Sequence, residues 1–473
     1  MRSGLVARPI VAARTRHTLA ASLVSGPIVR IGRILIPFYL RYALRFQGFE
    51  FHHPERIIEA LRDFQDKRTR LIIAFRHAYG DEPQLLFHVI DNLAPRWARK
   101  HNCPLPRNPH LRMIHDYAVP LWGDALIRFV LPRSGAIPIY HVKFDPAGLK
   151  KIRAILADDR CPLGLAPEGQ ISYHSETVPR IEQGTVRMGF WCALDLAKAG
   201  RSESVQILPL SIHYQYDWRD LNKVYRALDQ LEQACRPEPS ARLAKAARPA
   251  DRDQTALLMD MKKRIEAIEV HLLNLTESFY ATTYGYLPQS GQSRWMGLQI
   301  AALEIAENLL GLTPNGADIV QRVYRIRQEG WDRIYPVRSV NHLSPLETAL
   351  ADRRAGEAWH AMRHMEFVDL MSYHDTDYLQ DTTLHFDRVV ESVINLQDLA
   401  ARLMGGNITN RPNVIRKKAI MVPAPCLDLT ARLPDYRKDN RQATREATEE
   451  LDKRFKDCIE EHLHGTKHET RHK

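Results

Sequence analysis

What this chain lacks narrows its function before any motif is considered. Its six cysteines (Cys103, Cys161, Cys192, Cys235, Cys426 and Cys458) form no C-x-x-C pair and share no regular spacing. They read as isolated reduced thiols of a cytosolic-facing protein rather than a disulfide framework or a zinc module. His101, Cys103, His110 and His115 follow no zinc-ligand spacing, and Pro104, Pro106 and Pro109 make their segment an extended loop, so no metal is expected. No run of 18 uncharged apolar residues occurs, which argues against a spanning helix. A G-x-S-x-G elbow after a strand is missing, which argues against a serine hydrolase. Zinc-finger, RNP and helix-turn-helix signatures are missing too, which argues against nucleic acid as the partner of the net charge of +11. Finally, residues 1–49 contain no acidic residue, Glu50 being the first.

What is present is otherwise ordinary. With 473 residues, 44% hydrophobic and 26% charged, the chain can bury a large core and is expected to hold more than one folding unit. The positive charge suits an anionic membrane surface, an acidic acyl-carrier protein or a phosphate-bearing substrate. In residues 1–49, arginines at 2, 8, 14, 16, 30, 33, 41 and 45 punctuate apolar stretches such as Ile34-Leu-Ile-Pro37-Phe-Tyr-Leu. Arginine is costly in a bilayer core but favourable at headgroups, so this segment reads as a basic amphipathic anchor in the membrane interface of a peripheral protein on the cytoplasmic face. An Arg-rich, acid-free start also fits an organellar transit peptide.

The sharpest local signal is Leu71-Ile-Ile-Ala-Phe-Arg-His77-Ala-Tyr-Gly-Asp81-Glu82-Pro83. A short β-prone run ends in a histidine, and two carboxylates follow within five residues. A strand end displays side chains in a cleft, and a carboxylate in reach can fix the imidazole tautomer and offset its protonated form. The competing reading is a turn in which an acid caps a helix starting near Pro83. Downstream come Arg133-Ser-Gly135-Ala-Ile137-Pro138-Ile-Tyr-His141-Val-Lys143, then Pro167-Glu168-Gly169-Gln170 after an apolar run, then the strand-like Gln206-Ile-Leu-Pro209-Leu-Ser-Ile212.

Taken in order, these blocks resemble the glycerolipid acyltransferase family, typified by 1-acylglycerol-3-phosphate acyltransferases, whose blocks run approximately N-H-x-x-x-x-D-P, G-x-I-P-V-x-R, F-P-E-G-T-R-S and V-P-V-x-I. The resemblance implies a catalytic set of His77 and Glu82, with Asp81 beside them. Pro83 aligns with the proline after the family's aspartate, which puts Glu82 in the aspartate position and leaves Asp81 as a helix cap. It also implies that Arg133, Gly135, His141, Lys143, Pro167, Glu168, Gly169 and Gln170 contact substrate. Two departures bear on the acceptor. His141 replaces the family's arginine in the second block, and Gln170-Ile171 replaces T-R in the third.

By this resemblance His77 takes a proton from an acceptor hydroxyl as its oxygen attacks an acyl thioester, and Glu82 holds the ring. Backbone amides near Glu82-Pro83 or Gly169 would serve the oxyanion. The donor is acyl-CoA or acyl-carrier protein, and the acceptor is a lysophospholipid or a glycerol-phosphate-like alcohol. No cofactor is implied. The alternative is a non-catalytic membrane-associated relative that binds lipid or a partner.

The fold class implied is α/β, an acyltransferase-like mixed sheet flanked by helices, with a large all-helical insertion or second domain. Between Leu221 and Leu403 apolar residues follow helical spacing. Strand character returns at Ala419–Pro425, and an amphipathic helix is expected from about Arg437 to His462. The expected organisation is an interfacial segment over 1–49, a catalytic core over 50–218, a helical insertion over 219–415, a return of the chain to the core over 416–465 and a polar tail over 466–473.

Overall fold

The computed structural model describes residues 11–16, 22–123, 125–140, 145–235, 253–288, 292–313, 316–371, 378–406 and 411–470. The protein is mixed α/β. Its strands are β1 (Phe46–Phe51), β2 (Thr69–Phe75), β3 (Arg112–Asp116), β4 (Ile137–Ile139), β5 (Leu163–Leu165), β6 (Ser204–Tyr216), β7 (Lys417–Pro423) and β8 (Leu427–Asp428). They form one eight-stranded sheet in the order β1-β7-β6-β2-β5-β3-β4, with β8 pairing to β6. Most pairs are parallel; β6 is antiparallel to β7 and β8.

Every residue of β2 is buried, as a central parallel strand covered on both faces requires. Alternation sends Ile72 and Ala74 into a cluster with Ile152, Leu156, Val186, Phe190, Leu196, Leu451 and Phe455, from helices Pro146–Asp158, Gly184–Lys198 and Asn440–Thr470. Helix Pro54–Gln65 packs on β2 through residues outside that cluster, burying Ile57, Ile58, Leu61 and Phe64.

The chain divides into two units, one of Leu19–Asp217 with Asn413–Lys473, the other of Met1–Thr18 with Trp218–Pro412. In the second, helices Leu221–Cys235, Gln254–Tyr284, Arg294–Leu310, Ile319–Ile334, Pro345–Met371 and Phe386–Leu403 are described. Aspartates set two of their starts: Asp253 accepts from the amides of Thr255 and Ala256, and Asp318 from that of Gln321.

Several boundaries differ from expectation for local reasons. β1 begins at Phe46, so residues 46–49 belong to the sheet rather than to a separate anchor. Residues 11–16 belong with the helical unit, where the Arg14 amide donates to the Ile334 carbonyl and the Ala13 amide to Asp352, both at 2.8 Å. The segment expected over 1–49 is therefore divided between the units. Within it, Arg33 turns inward, its Nε 3.1 Å from Asp91. β7 starts two residues early because Lys417 is already paired with Phe46 of β1 and Tyr216 of β6. The last helix starts at Asn440 because Asp439 accepts from the amides of Arg441 and Gln442. Among the described residues no helix is long and apolar enough to cross a membrane.

Tyr216 pairs with Lys417, and the Asp217 amide donates to the Arg416 carbonyl at 2.9 Å. Replacing residues 218–412 by a short flexible linker is therefore expected to leave the sheet unit soluble with one cooperative thermal transition, since closing a short loop costs little entropy. Ending the chain at residue 412 instead removes the strand between β1 and β6 and should give aggregated protein. Circular dichroism melts and sedimentation of the two proteins check this.

Candidate active site

The site grows from the carboxyl ends of two adjacent parallel strands. β2 and β5 pair through Ala74 and Leu165, and the chain leaves them as Arg76-His77 and Ala166-Pro167-Glu168. Such a pair of exits is where open α/β sheets place ligands. The two exits are sewn together. The His77 amide donates to Glu168 Oε2 at 2.9 Å, and the carbonyls of His77 and Ala78 accept from the amides of Ser172 and Tyr173 at 2.8 and 3.0 Å. Glu168, also buried, takes the Nε of Arg76 on its other oxygen. Each oxygen of Glu168, expected to contact substrate, already accepts one hydrogen bond from the protein, so the side chain braces the two exits.

Glu82 is the first residue of helix Glu82–His88 and is wholly buried. Its Oε2 lies 2.9 Å from His77 Nδ1, while Oε1 accepts from the Tyr79 amide at 2.9 Å and from the Tyr214 hydroxyl at 2.5 Å. A carboxylate acceptor puts the proton on Nδ1. The Nε2 edge of the ring then carries the free lone pair when His77 is neutral, and no side chain among the described residues hydrogen-bonds to it. The His77 side chain keeps 19% of its surface accessible against none for Glu82. Burial pulls the His77 pKa down, but the hydrogen bond and charge of Glu82, helped by the charge of Glu168, outweigh it, and the net shift is upward from 6.5. The protonated pair therefore stabilises the fold below about pH 6.5, and that contribution fades as pH rises through the higher folded value.

Asp81 occupies the N-cap position of helix Glu82–His88, but its side chain does not cap. It makes no capping hydrogen bond; its Oδ2 instead meets Lys417 Nζ at 2.5 Å. Lys417 is buried, 4.8 Å from the Phe46 ring centroid and 4.9 Å from that of Tyr214, and also donates to Asn413. The acid expected to start the helix is drawn to an unmatched buried cation, which outweighs a cap.

The remaining expected contacts scatter. Arg133 is exposed at the end of helix Ala125–Arg133, stacked over Phe129 at 4.0 Å. Gly135, at φ 79°, offers its carbonyl to Arg112 Nε and Ser22, a packing role. Pro167 is buried, and its carbonyl accepts from the Glu182 amide. Gly169 adopts φ 75°, the left-handed conformation a side chain would strain, and its amide closes the turn onto Ala166 at 3.2 Å, so it is not a spare oxyanion donor. Gln170 leaves Oε1 buried without a partner among the described residues. His141 and Lys143 lie outside the described residues. His110, set aside as a metal ligand, bonds Asp91 and the Ser134 carbonyl.

Arg76, Tyr214 and Lys417 were missed. The only signal for each was a polar group in or at the end of a largely apolar strand run, at 71–76, 207–214 and 417–423. No protein-family model matches the chain, and no curated protein does.

The adjacent acids are separable. Glu82→Gln should lower the His77 pKa, read from its ring-proton NMR titration, because charge and acceptor are both weakened. Asp81→Asn should leave that titration nearly in place but cost about 3–5 kcal/mol in denaturant unfolding, the penalty for stranding a buried partner. A reversed pattern would reassign the acids.

Proposed function

We propose that the protein is an O-acyltransferase that moves a fatty acyl group from an acyl thioester to the hydroxyl of a lysophospholipid or glycerol-phosphate-like acceptor. The observation that carries the reading is the His77–Glu82 pair at the exit of two parallel strands, with Nδ1 anchored on a buried carboxylate and no side chain among the described residues bonded to Nε2. A histidine held this way is a general base whose orientation costs nothing at the moment of reaction. The order of the sequence blocks, which resembles the glycerolipid acyltransferases, adds the reaction class, and the α/β sheet is compatible with an acyltransferase-like fold.

In the reaction Nε2 takes the acceptor's hydroxyl proton as the oxygen attacks the thioester carbonyl. Glu82 offsets the imidazolium charge. When the tetrahedral adduct collapses, the carbon–sulfur bond breaks and the proton passes from Nε2 to the leaving thiolate. No enzyme nucleophile is required. Acyl-CoA and acyl-carrier protein both meet these needs as donors.

Access to such substrates is supported by an exposed apolar face. Helix Gly26–Phe38 presents Ile31, Ile34, Leu35 and Phe38 to solvent, and helix Ala125–Arg133 presents Leu126 and Phe129. The two are tied by backbone bonds from Leu23 to Pro132 and from Ser25 to Arg133. Arg30, Arg41, Arg45 and Arg133, in or beside these helices in sequence, are exposed too, a composition that suits an anionic membrane surface.

The reaction is tested by screening acyl-CoA and acyl-carrier-protein thioesters against lysophosphatidate, glycerol phosphate and neutral alcohols. Transfer should rise with pH through a midpoint above 6.5, and His77→Ala should lower it by about 10²–10⁴-fold in a protein that still folds, with a lower thermal transition because buried Glu82 loses its partner. A folded His77→Ala protein with undiminished turnover would end this reading. For the membrane face, an Ile34→Asp/Phe38→Asp protein should no longer co-sediment with vesicles containing anionic phospholipid, and added salt should weaken binding of the unaltered protein.

A further inference from the structure

Strand β6 runs well past the end of β2. Its pairing with β2 stops at Leu210 opposite Phe75, and from there to Tyr216 it pairs antiparallel with β7. Leu210, Ile212 and Tyr214 fall on one face by strand alternation. That extension delivers a phenol into the site from an element that carries none of the residues recognised in the sequence. Tyr214 is 1% exposed, and its hydroxyl donates to Glu82 Oε1, the oxygen turned away from His77.

We propose that Tyr214 is a positioning residue for transfer, setting the proton affinity of His77 by holding the far oxygen of Glu82. The inference rests on the acyltransfer reading for its consequence and on geometry for its substance. An O–H···O⁻ bond is roughly twice as strong as a neutral one. Drawing charge onto Oε1 leaves Oε2 a weaker partner for the imidazolium, so His77 releases its proton more easily. The Tyr79 amide and the Tyr214 hydroxyl together also fix the plane of the carboxylate, and with it the tilt of the ring. Tyr214 stays a donor throughout: burial, then the charges of Glu82 and Asp81, hold its phenol well above the usual tyrosine value.

The other ionisable groups around the pair are matched elsewhere. Asp81, on the same helix start, is neutralised by Lys417 of β7. Glu168, from the exit of β5, is paired with Arg76 at the end of β2. Tyr216 of β6 and Tyr79 sit beside Tyr214 as uncharged phenols, with 5.0 Å between the Tyr79 and Tyr214 rings. The charge that His77 feels through its own hydrogen bond is therefore that of Glu82, and Tyr214 is its one side-chain donor besides His77 among the described residues.

A tyrosine that merely fills the core would alter stability and leave His77 untouched, so the test is the His77 ring-proton titration together with the pH profile of transfer. In Tyr214→Phe the midpoint should move up by roughly half a unit to one unit, a fraction of a charge-assisted bond. Transfer should fall at neutral pH and recover at higher pH. With 3-fluorotyrosine at position 214 alone, a more acidic phenol of nearly equal size, the midpoint should move down. In a Glu82→Gln background neither change should shift it. Midpoints that stay put in both proteins, or that move as much with Glu82→Gln, would overturn the proposal; if Tyr214→Phe does not fold, the fluorotyrosine protein decides it. The titration reads His77 directly, so a protein that transfers acyl groups from no thioester would refute the reaction without touching this result.

Discussion

A buried acid must be matched, and three of them converge on one histidine. Glu168 is matched by Arg76, Asp81 by Lys417 and Glu82 by His77. The first two partners are an arginine and a lysine, and only the third is an imidazole, the side-chain type whose ordinary pKa lies near neutral pH. This division organises the site. Two pairs brace the exits of β2 and β5 and the start of helix Glu82–His88, and the third is the one built on a histidine. Each pair also draws on a different part of the sheet, so the histidine is held by β2, β5, β6 and β7 at once.

The two bracing pairs bring no large stability of their own, because removing two charges from water costs about what their attraction returns. Their effect is on uniqueness. Lys417 can sit among Phe46, Tyr79 and Tyr214 only if Asp81 is there to receive it, and Asp81 arrives only if the turn after His77 closes as observed. Arg76 is as demanding, donating to Glu168 and to the His174 carbonyl while fully buried.

How much of this was legible in the sequence follows from what each feature depends on. The runs at 71–75, 206–212 and 419–423 read as strands because central strands need continuous apolar residues. The helices of 221–403 showed through their 3.6-residue spacing. Glu82 rather than Asp81 was placed against His77 through the resemblance, in which Pro83 follows the paired acid. The role of Asp81 was not legible, since its partner lies far along the chain and a lone Lys at a strand start carries no label. Glu168 read as a substrate contact from the resemblance alone, and its ion pair with Arg76 was not legible because it depends on how β2 and β5 pair. Tyr214 looked like one more aromatic in a β-rich run.

The order of the strands also shapes how the protein reaches this state. β7 stands between β1 and β6, yet it is made only after the whole helical unit has been synthesised. Until then β1 has no neighbour, Asp81 has no cation, and β6 shows a bare edge over residues 210–216. Contacts this distant in sequence are slow to form, and a nascent chain at that stage is open to wrong pairing. The helical unit, with its local contacts, has every opportunity to fold first. The two ends of the gap, Asp217 and Arg416, are then joined by the same pairing of β6 with β7 that completes the sheet, so one late event closes both.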